Sequence, residues 1–252
     1  MIKRDELVAY LAALLGCDNF TDYAPNGLQV EGKEAIRHLC TAVTASAKAI
    51  EEAAFKKADA LLVHHGFFWR GEAPVLTGMK RVRIGRLMAH DMNLLAYHLP
   101  LDCHPQFGNN AELGKRLNIK NMSRHIVGNT ADLLWAGELA ENKSAAGFAE
   151  HIQTALGRTP LLLEGSDRLI KRVAWCSGGA QDFIVDAHQL GVDAYLSGEV
   201  SERTYYQAME LGIHYFACGH HATERFGIQA LAEHLVERFD VTHHFIDSAN
   251  PV

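Results

Sequence analysis

The sequence predicts an α/β protein built from two similar lobes. Apolar runs of strand length alternate with amphipathic runs of helical length, and the same order of elements occurs in both halves of the 252-residue chain. We place the lobes at residues 1–128 and 129–252 and interpret them as an internal duplication. Fold-level patterning without duplication is the alternative explanation.

The first half begins with a helix over residues 5–15, where apolar residues recur at helical spacing and Gly16 supplies a stop. Short β-like runs and further helices follow it. In order, we predict strands at 28–30 and 36–44, a helix at 47–57, a strand at 60–63, a helix at 86–90 and a strand at 93–97.

The second half repeats this order, starting with a helix over 144–156 that Gly157 ends. Asp193-Ala194 corresponds to Asp59-Ala60, and this match sets the register between the halves. The further predicted elements are strands at 161–163 and 170–176, a helix at 182–190, a strand beginning near 192, a helix at 206–211 and a strand at 213–218.

Charge and cysteine usage argue against several classes of protein. Lys and Arg total 24 against 30 Asp and Glu, so the net charge is -6 and binding to nucleic acid is not the expected role. The five cysteines lack C-x-x-C spacing, which favours a reducing compartment, and we expect a cytoplasmic protein. No targeting segment and no window of roughly 18 apolar residues is found, so we expect no membrane association.

Histidine and carboxylate side chains follow three of the predicted strands. Ligands of open α/β sheets bind beyond the carboxyl ends of strands, so side chains in these places are candidates for one common site. The candidates are His64 and His65 after the strand at 60–63, His98 and Asp102 after 93–97, and His220 and Glu224 after 213–218.

These residue types indicate a catalytic metal site with two ions. His220 and Glu224 share one face of a helix that begins near His221, whereas His64 and His65 point to opposite faces of a strand and so suit two different ions. Asp102 or Glu224 is suited to bridge ions about 3.5 to 4 Å apart. Nitrogen and oxygen ligands fit iron, zinc, manganese or nickel, and the absence of cysteine argues against a structural zinc site.

Other interpretations of single residues remain open. A lone histidine at a strand end is more often a surface or core residue than a metal ligand. His98 either exchanges a proton with substrate or orients a ligand. Glu199 matches the position of His65 in the repeat, and we expect it near the site without a ligand role. The Ser177-Gly178-Gly179 turn is either an anion cradle or an ordinary strand-to-helix turn.

Nearly the whole chain resembles the NIF-three-like dinuclear metal centre family, whose bacterial members are called GTP cyclohydrolase 1 type 2 homologues. The resemblance is carried by DYAPNGLQVEG at 22–32, VHHG at 63–66, LPLD at 99–102, SGEVSE at 197–202 and GHHATE at 219–224. One departure is His98-Leu99-Pro100-Leu101-Asp102, where the commoner family motif reads His-Thr-Asn-Leu-Asp. A substrate contact made by the polar pair of that motif is therefore in doubt.

The resemblance implies two intertwined lobes with mixed sheets and a metal site in the cleft between them. It also implies a toroidal homohexamer, a trimer of dimers, without the inserted middle domain of longer members. The implied ligands of the two divalent ions are His64, His65, Asp102, His220 and Glu224.

A dinuclear metal-dependent hydrolase is the leading functional hypothesis, acting on a nucleotide such as GTP or on a related ring or amide. Under this hypothesis His98 and Glu224 are the candidates for moving protons. The alternative is a metal-binding toroidal scaffold or regulatory binding protein without turnover. A ring around DNA is a third hypothesis, which the net charge disfavours.

Overall fold

Two mixed β-sheets and nine α-helices make up most of the fold. The structure is a computed structural model that describes residues 1–252, and the chain divides into two compact units. Unit 1 comprises Met1–Leu101 and Gly227–Ala249, and unit 2 comprises Asp102–Phe226 and Asn250–Val252. The predicted α/β class with mixed sheets is therefore confirmed.

The elements alternate along the chain as the sequence predicts. The strands are β1 (Ile2–Lys3), β2 (Gly27–Val30), β3 (Ala35–Ile36), β4 (His38–Thr44), β5 (Ala60–His65), β6 (Asn93–Ala96), β7 (Lys120–Val127), β8 (Thr130–Lys143), β9 (Leu161–Leu163), β10 (Ile170–Trp175), β11 (Ala194–Ser197), β12 (His214–Ala217) and β13 (Thr242–Phe245). The helices are α1 (Arg4–Leu15), α2 (Ala47–Phe55), α3 (Gly78–Ala89), α4 (Leu99–Cys103), α5 (Asn109–Arg116), α6 (Ala145–Leu156), α7 (Ile184–Gln189), α8 (Glu202–Leu211) and α9 (His220–Arg238).

The main sheet of unit 1 has the strand order β13-β4-β5-β6-β2. The first four strands are parallel, and β2 closes one edge antiparallel to β6. Residues 60–63 of β5 are fully buried, as expected of an apolar central strand covered on both faces. β5 continues through His64 and His65, two residues beyond the predicted end, because His65 still pairs with Thr44 of β4.

The sheet of unit 2 has the strand order β7-β8-β10-β11-β12-β9. Strands β10, β11 and β12 are parallel, and β9 is antiparallel to β12. The arrangement β10-β11-β12-β9 therefore matches β4-β5-β6-β2 of unit 1 in both order and direction. This match supports the internal duplication, which stays a prediction.

An aspartate has the same structural role in each unit. Asp59 accepts hydrogen bonds from two successive backbone N–H groups at the entry to β4, at 2.9 Å each. Asp193 accepts from the two equivalent groups at the entry to β10, at 2.9 and 2.8 Å. The aspartate of each Asp-Ala pair that sets the register of the repeat therefore hydrogen-bonds the start of one strand to the start of the next.

The predicted helix ends are formed by specific capping residues. Gly16 and Gly157 follow α1 and α6 with φ values of 62° and 73°, a left-handed conformation that favours glycine. The Ser144 side chain accepts from the Gly147 N–H and caps the start of α6. Both helices end where the sequence predicts.

The lobe boundary that we place after residue 128 falls in the turn between β7 and β8, inside unit 2. These two strands pair with each other, so both belong to the same sheet. The chain passes from unit 1 to unit 2 between Leu101 and Asp102, inside α4, and returns inside α9. None of the helices combines the length and the apolar character needed to span a membrane.

Substituting asparagine for Asp59 is expected to destabilise the protein in a pH-dependent manner. Burial alone would raise the pKa of Asp59, but hydrogen bonds from Lys33, His38 and Arg37 outweigh it and hold the pKa below its usual range. Such a carboxylate stabilises the fold above the pKa of unfolded aspartate, about 3.9, and this contribution is lost as the pH falls through the folded pKa.

We expect Asp59→Asn to lower the free energy of unfolding in urea by about 1–3 kcal/mol at pH 7, and by less at pH 3. Asp167→Asn is the control because Asp167 is exposed. An equal loss of stability at both pH values would contradict the assigned role.

Candidate metal centre

Three histidine rings converge at the carboxyl end of the unit 1 sheet. His64 and His65 end β5, and His98 follows β6 by two residues. The ring centroid of His64 lies 4.5 Å from that of His65 and 5.1 Å from that of His98. One ligand nitrogen from each ring lies within 4.8 Å of the other two. Unit 1 therefore gathers the three histidines that the sequence places at two separate strand ends.

The rings of His64 and His65 converge although neighbouring strand residues normally point to opposite faces. They belong to the last two residues of β5, where the chain leaves the sheet at Gly66. A Cβ at Gly66 would overlap the Gln29 side chain and lie 2.7 Å from the Cβ of Ala96, so glycine permits this close passage. That the two rings bind two different ions stays a prediction.

Hydrogen bonds at Nδ1 orient two of these rings. His64 Nδ1 lies 2.9 Å from the backbone carbonyl oxygen of Tyr97. A carbonyl can only accept, so the neutral ring carries its proton on Nδ1 and its lone pair on Nε2, as metal ligation requires. His98 Nδ1 is held in the same way, 2.7 Å from the Asp22 carboxylate.

Asp22 is a buried anchor of His98 that the sequence reasoning missed. Besides the His98 ring, its carboxylate accepts from the Leu99 N–H at 2.9 Å and from the Asn26 side chain at 2.8 Å. Burial would raise the pKa of Asp22, but hydrogen bonding to His98, Asn26 and the Tyr23 N–H lowers it below the usual range. Its only sequence signal is its place in the segment at 22–32.

Asp102 is held by polar side chains of unit 2. The residue is buried, and its Oδ1 accepts from the Asn109 side chain at 2.8 Å and from the Ser177 hydroxyl at 3.2 Å. The Asn110 side chain accepts from the Ser177 N–H at 2.8 Å, which fixes the turn after β10 beside this carboxylate. Asn109, Asn110 and Ser177 were not predicted to support the site.

His220 and Glu224 form a pair in the first turn of α9. His220 Nε2 lies 3.2 Å from Glu224 Oε1, which confirms that the two side chains share a helix face. His220 Nδ1 lies 2.6 Å from Glu199 Oε1, so Glu199 orients the ring and occupies the supporting position expected for it. Burial lowers the pKa of His220, but Glu224 and Glu199 outweigh that effect and raise it to about 9.

Gly178 brings the backbone directly against this pair. Its φ is +67°, and a Cβ there would overlap Glu224 Oε1 and lie 3.0 Å from His220 Nε2. Because Asp102 is bonded to the preceding residue, Ser177, one turn carries the backbone past all three candidate ligands of unit 2. Unit 2 therefore holds a buried cluster of His, Asp and Glu side chains.

The Ser177-Gly178-Gly179 turn does not have the hydrogen bonding of an anion cradle. The Ser177 and Gly178 N–H groups donate to Asn110 Oδ1 and Thr223 Oγ1, at 2.8 and 3.0 Å. The Ala180 N–H donates to Ser197 Oγ at 3.1 Å. Because the Ser177 and Gly178 donors are already bonded inside the protein, the contacts favour an ordinary turn that supports the ligand cluster.

The donor set fits a divalent metal ion bound by nitrogen and oxygen. Cys176 neighbours this cluster, but burial and the Asp102 and Glu224 carboxylates raise its pKa well above the usual range. Its thiol is therefore protonated in the metal-free protein. Imidazole and carboxylate ligands without thiolate suit iron, manganese, nickel or catalytic zinc, as the sequence predicts.

The family model described as Duf34/NIF3 (NGG1p interacting factor 3) matches residues 2–251. A protein of Allochromatium vinosum named GTP cyclohydrolase 1 type 2 homolog is 50% identical over 246 residues, covering 98% of this chain and 96% of its own. The Escherichia coli K12 protein of the same name is 47% identical over 251 residues, covering 99% and 100%.

Solved structures have the same fold. One described as protein ybgI, of unknown function, matches with a TM-score of 0.95 and 47% identity over the whole of both chains. TTHA1606 from Thermus thermophilus matches with a TM-score of 0.91 and 31% identity, also over the whole of both chains. The arrangement of helices and strands described above is therefore shared with experimentally solved proteins.

Gly178→Ala is expected to impair metal binding, because the added methyl group enters the space beside Glu224 and His220. We expect the dissociation constant for zinc or manganese, measured by titration, to rise at least about tenfold. Gly191→Ala is the matched control, since Gly191 has the same φ of +67° and its Cβ would meet only Arg172 Nη1, at 3.5 Å. Equal metal affinity in both variants would contradict the role of Gly178.

The metal-free protein is expected to lose stability as the pH rises from about 6.5 to about 9. A histidine whose folded pKa is raised to about 9 contributes stability below the unfolded pKa of 6.5, and this contribution disappears as the pH passes the folded value. Urea unfolding should show this loss in the wild type and a smaller loss in Glu199→Gln, which removes one of the two carboxylates. An identical pH profile in the variant would rule out the His220–Glu199 pair as a contributor.

Proposed function

The chain belongs to the Duf34/NIF3 family, and we propose that it is a dinuclear metal-dependent hydrolase of the kind named GTP cyclohydrolase 1 type 2 homolog. The proposed ligands are His64, His65, Asp102, His220 and Glu224, with two divalent ions of iron, zinc, manganese or nickel.

The observation that carries the proposal is the burial of two carboxylates in unit 2. Asp102 and Glu224 are only 5% and 2% exposed, although burying an ionised carboxylate carries a large desolvation penalty. A divalent cation would offset this penalty, and Glu224 already lies 3.2 Å from the His220 ring and against the Gly178 turn. The oriented Nδ1 atoms of His64 and His220 support the same conclusion, since their Nε2 atoms are then disposed for ligation.

When bound, two divalent ions supply a water of lowered pKa and polarise the group that is attacked. Two carboxylates of the chain orient histidine rings of the proposed centre. Asp22 and Glu199 hold the rings of His98 and His220, so neither ring needs to reorient during the reaction. We assign proton transfer to His98 Nε2, whose Nδ1 is bonded to Asp22, and to Glu224.

We propose a nucleotide such as GTP, or a related ring or amide, as the substrate class. The names of the relatives support this class. We further propose a toroidal homohexamer, a trimer of dimers, on the basis of the family resemblance. Light scattering of the purified protein would test that assembly, with a monomer or dimer as the contradicting result.

The test of function combines metal analysis with a panel of nucleotides, amides and phosphoesters. We expect two metal ions per chain and turnover that falls at least about 100-fold in Asp102→Asn and in Glu224→Gln. Glu237→Gln is the matched control, because Glu237 lies exposed on the same helix as Glu224.

Turnover unaffected by Asp102→Asn and Glu224→Gln would contradict the proposed centre. Metal-loaded protein that turns over none of the panel would remove the hydrolase and favour the metal-binding scaffold. In that event, removal of the metal should dissociate the assembly.

A further inference from the structure

Two aromatic residues that the proposed reaction does not use lie beside His98. The Trp69 ring centroid is 5.0 Å from the His98 ring and 5.9 Å from the His65 ring. The Tyr23 ring is 6.3 Å from His98, and 58% of this tyrosine is exposed. The interplanar angles with His98 are 88° and 68°, so neither ring stacks face to face on the histidine.

Trp69 differs from the two other tryptophans of the chain. Trp135 and Trp175 are buried in the hydrophobic core of unit 2, and each indole N–H donates to a backbone carbonyl oxygen at 2.9 Å. Buried tryptophan normally satisfies its N–H in this way. Trp69 is only partly buried, and its indole N–H has no acceptor within the chain. Trp69 therefore lacks the features of a core residue.

The loop that carries Trp69 is held in a fixed position. Gln29 bonds to it through its side chain, accepting from the Phe67 N–H at 2.7 Å. The Arg70 N–H donates to the Tyr23 carbonyl oxygen at 2.7 Å, and the Arg70 guanidinium donates to the Asp22 carbonyl oxygen at 2.9 Å. The loops of the two aromatic residues are thus bonded to each other.

Backbone strain immediately precedes the partly buried indole. Phe68 has a φ of +66°, which a bulky residue adopts only when the surrounding structure imposes it. Such strain is concentrated at binding and catalytic sites, where it directs a neighbouring side chain. Here it lies between the metal-site histidines at the end of β5 and the indole that contacts them.

We propose that Trp69 and Tyr23 form a recognition site for the planar heteroaromatic ring of the substrate, a purine nucleobase, beside His98. Indole and phenol rings bind such rings by stacking, and the indole N–H supplies a donor for a ring nitrogen or carbonyl oxygen. The inference rests on the proposed function, because it names the substrate class of the same centre. It accounts for two aromatic residues on loops that contribute no metal ligand.

The test measures guanosine binding to the metal-loaded protein by equilibrium dialysis, with ribose 5-phosphate as a ligand that lacks the planar ring. We expect Trp69→Leu to weaken guanosine binding about 5- to 150-fold and Trp69→Phe, which keeps an aromatic ring, to weaken it less. Binding of ribose 5-phosphate and the metal content should not change in either variant. Tyr23→Leu provides a second, independent variant at an exposed position.

Fluorescence supplies a direct readout of the indole. Because Trp135 and Trp175 are buried, guanosine should quench the Trp69 contribution, and Trp69→Phe should abolish that quenching. Unchanged guanosine affinity in both Trp69→Leu and Tyr23→Leu would overturn the proposal. If the protein binds guanosine through Trp69 but hydrolyses no substrate, the proposed function fails and the recognition site stands. The two failures are therefore distinguishable.

Discussion

The burial of Asp102 and Glu224 is the constraint on which the organisation of unit 2 depends. Two carboxylates removed from water require compensating partners, and the chain supplies asparagine, serine and histidine side chains around them. Gly178 has no side chain because its Cβ would occupy the same space as Glu224 Oε1. Cys176 stays protonated under the influence of the same charges. Asparagine side chains, a glycine turn and a helix start thus hold one cluster of candidate metal ligands in place.

The two units use one strand arrangement for different contributions. In unit 1 the central strand β5 ends in His64 and His65, whereas in unit 2 the equivalent strand β11 is followed by Gly198 and Glu199. A Cβ at Gly198 would lie 2.6 Å from the Cα of His220, so the backbone there lies tightly against the start of α9. The Glu199 carboxylate lies 2.6 Å from Nδ1 of the His220 ring. The position that supplies a candidate ligand in one unit supports a candidate ligand in the other.

Local patterns predicted the fold well because burial and capping depend on nearby residues. The apolar run before His64, the glycine stops at Gly16 and Gly157, and the four-residue spacing of His220 and Glu224 all agree with the structure. Asp22 could not be recognised as a support of His98, because a hydrogen bond across 76 residues leaves no periodic signal. The sequence also left the anion-cradle interpretation of Ser177-Gly178-Gly179 open, since only the folded chain shows that the Ser177 and Gly178 N–H groups already have acceptors.

The proposed centre holds two divalent ions through His64, His65, Asp102, His220 and Glu224. Anomalous diffraction from crystals of the metal-loaded protein measures this most directly. The account predicts two peaks per chain, about 3.5 to 4 Å apart, with His64 and His65 and the Asp102, His220 and Glu224 side chains all in ligand contact. A single peak, or two peaks of which neither has one of these five ligands in contact, would contradict it.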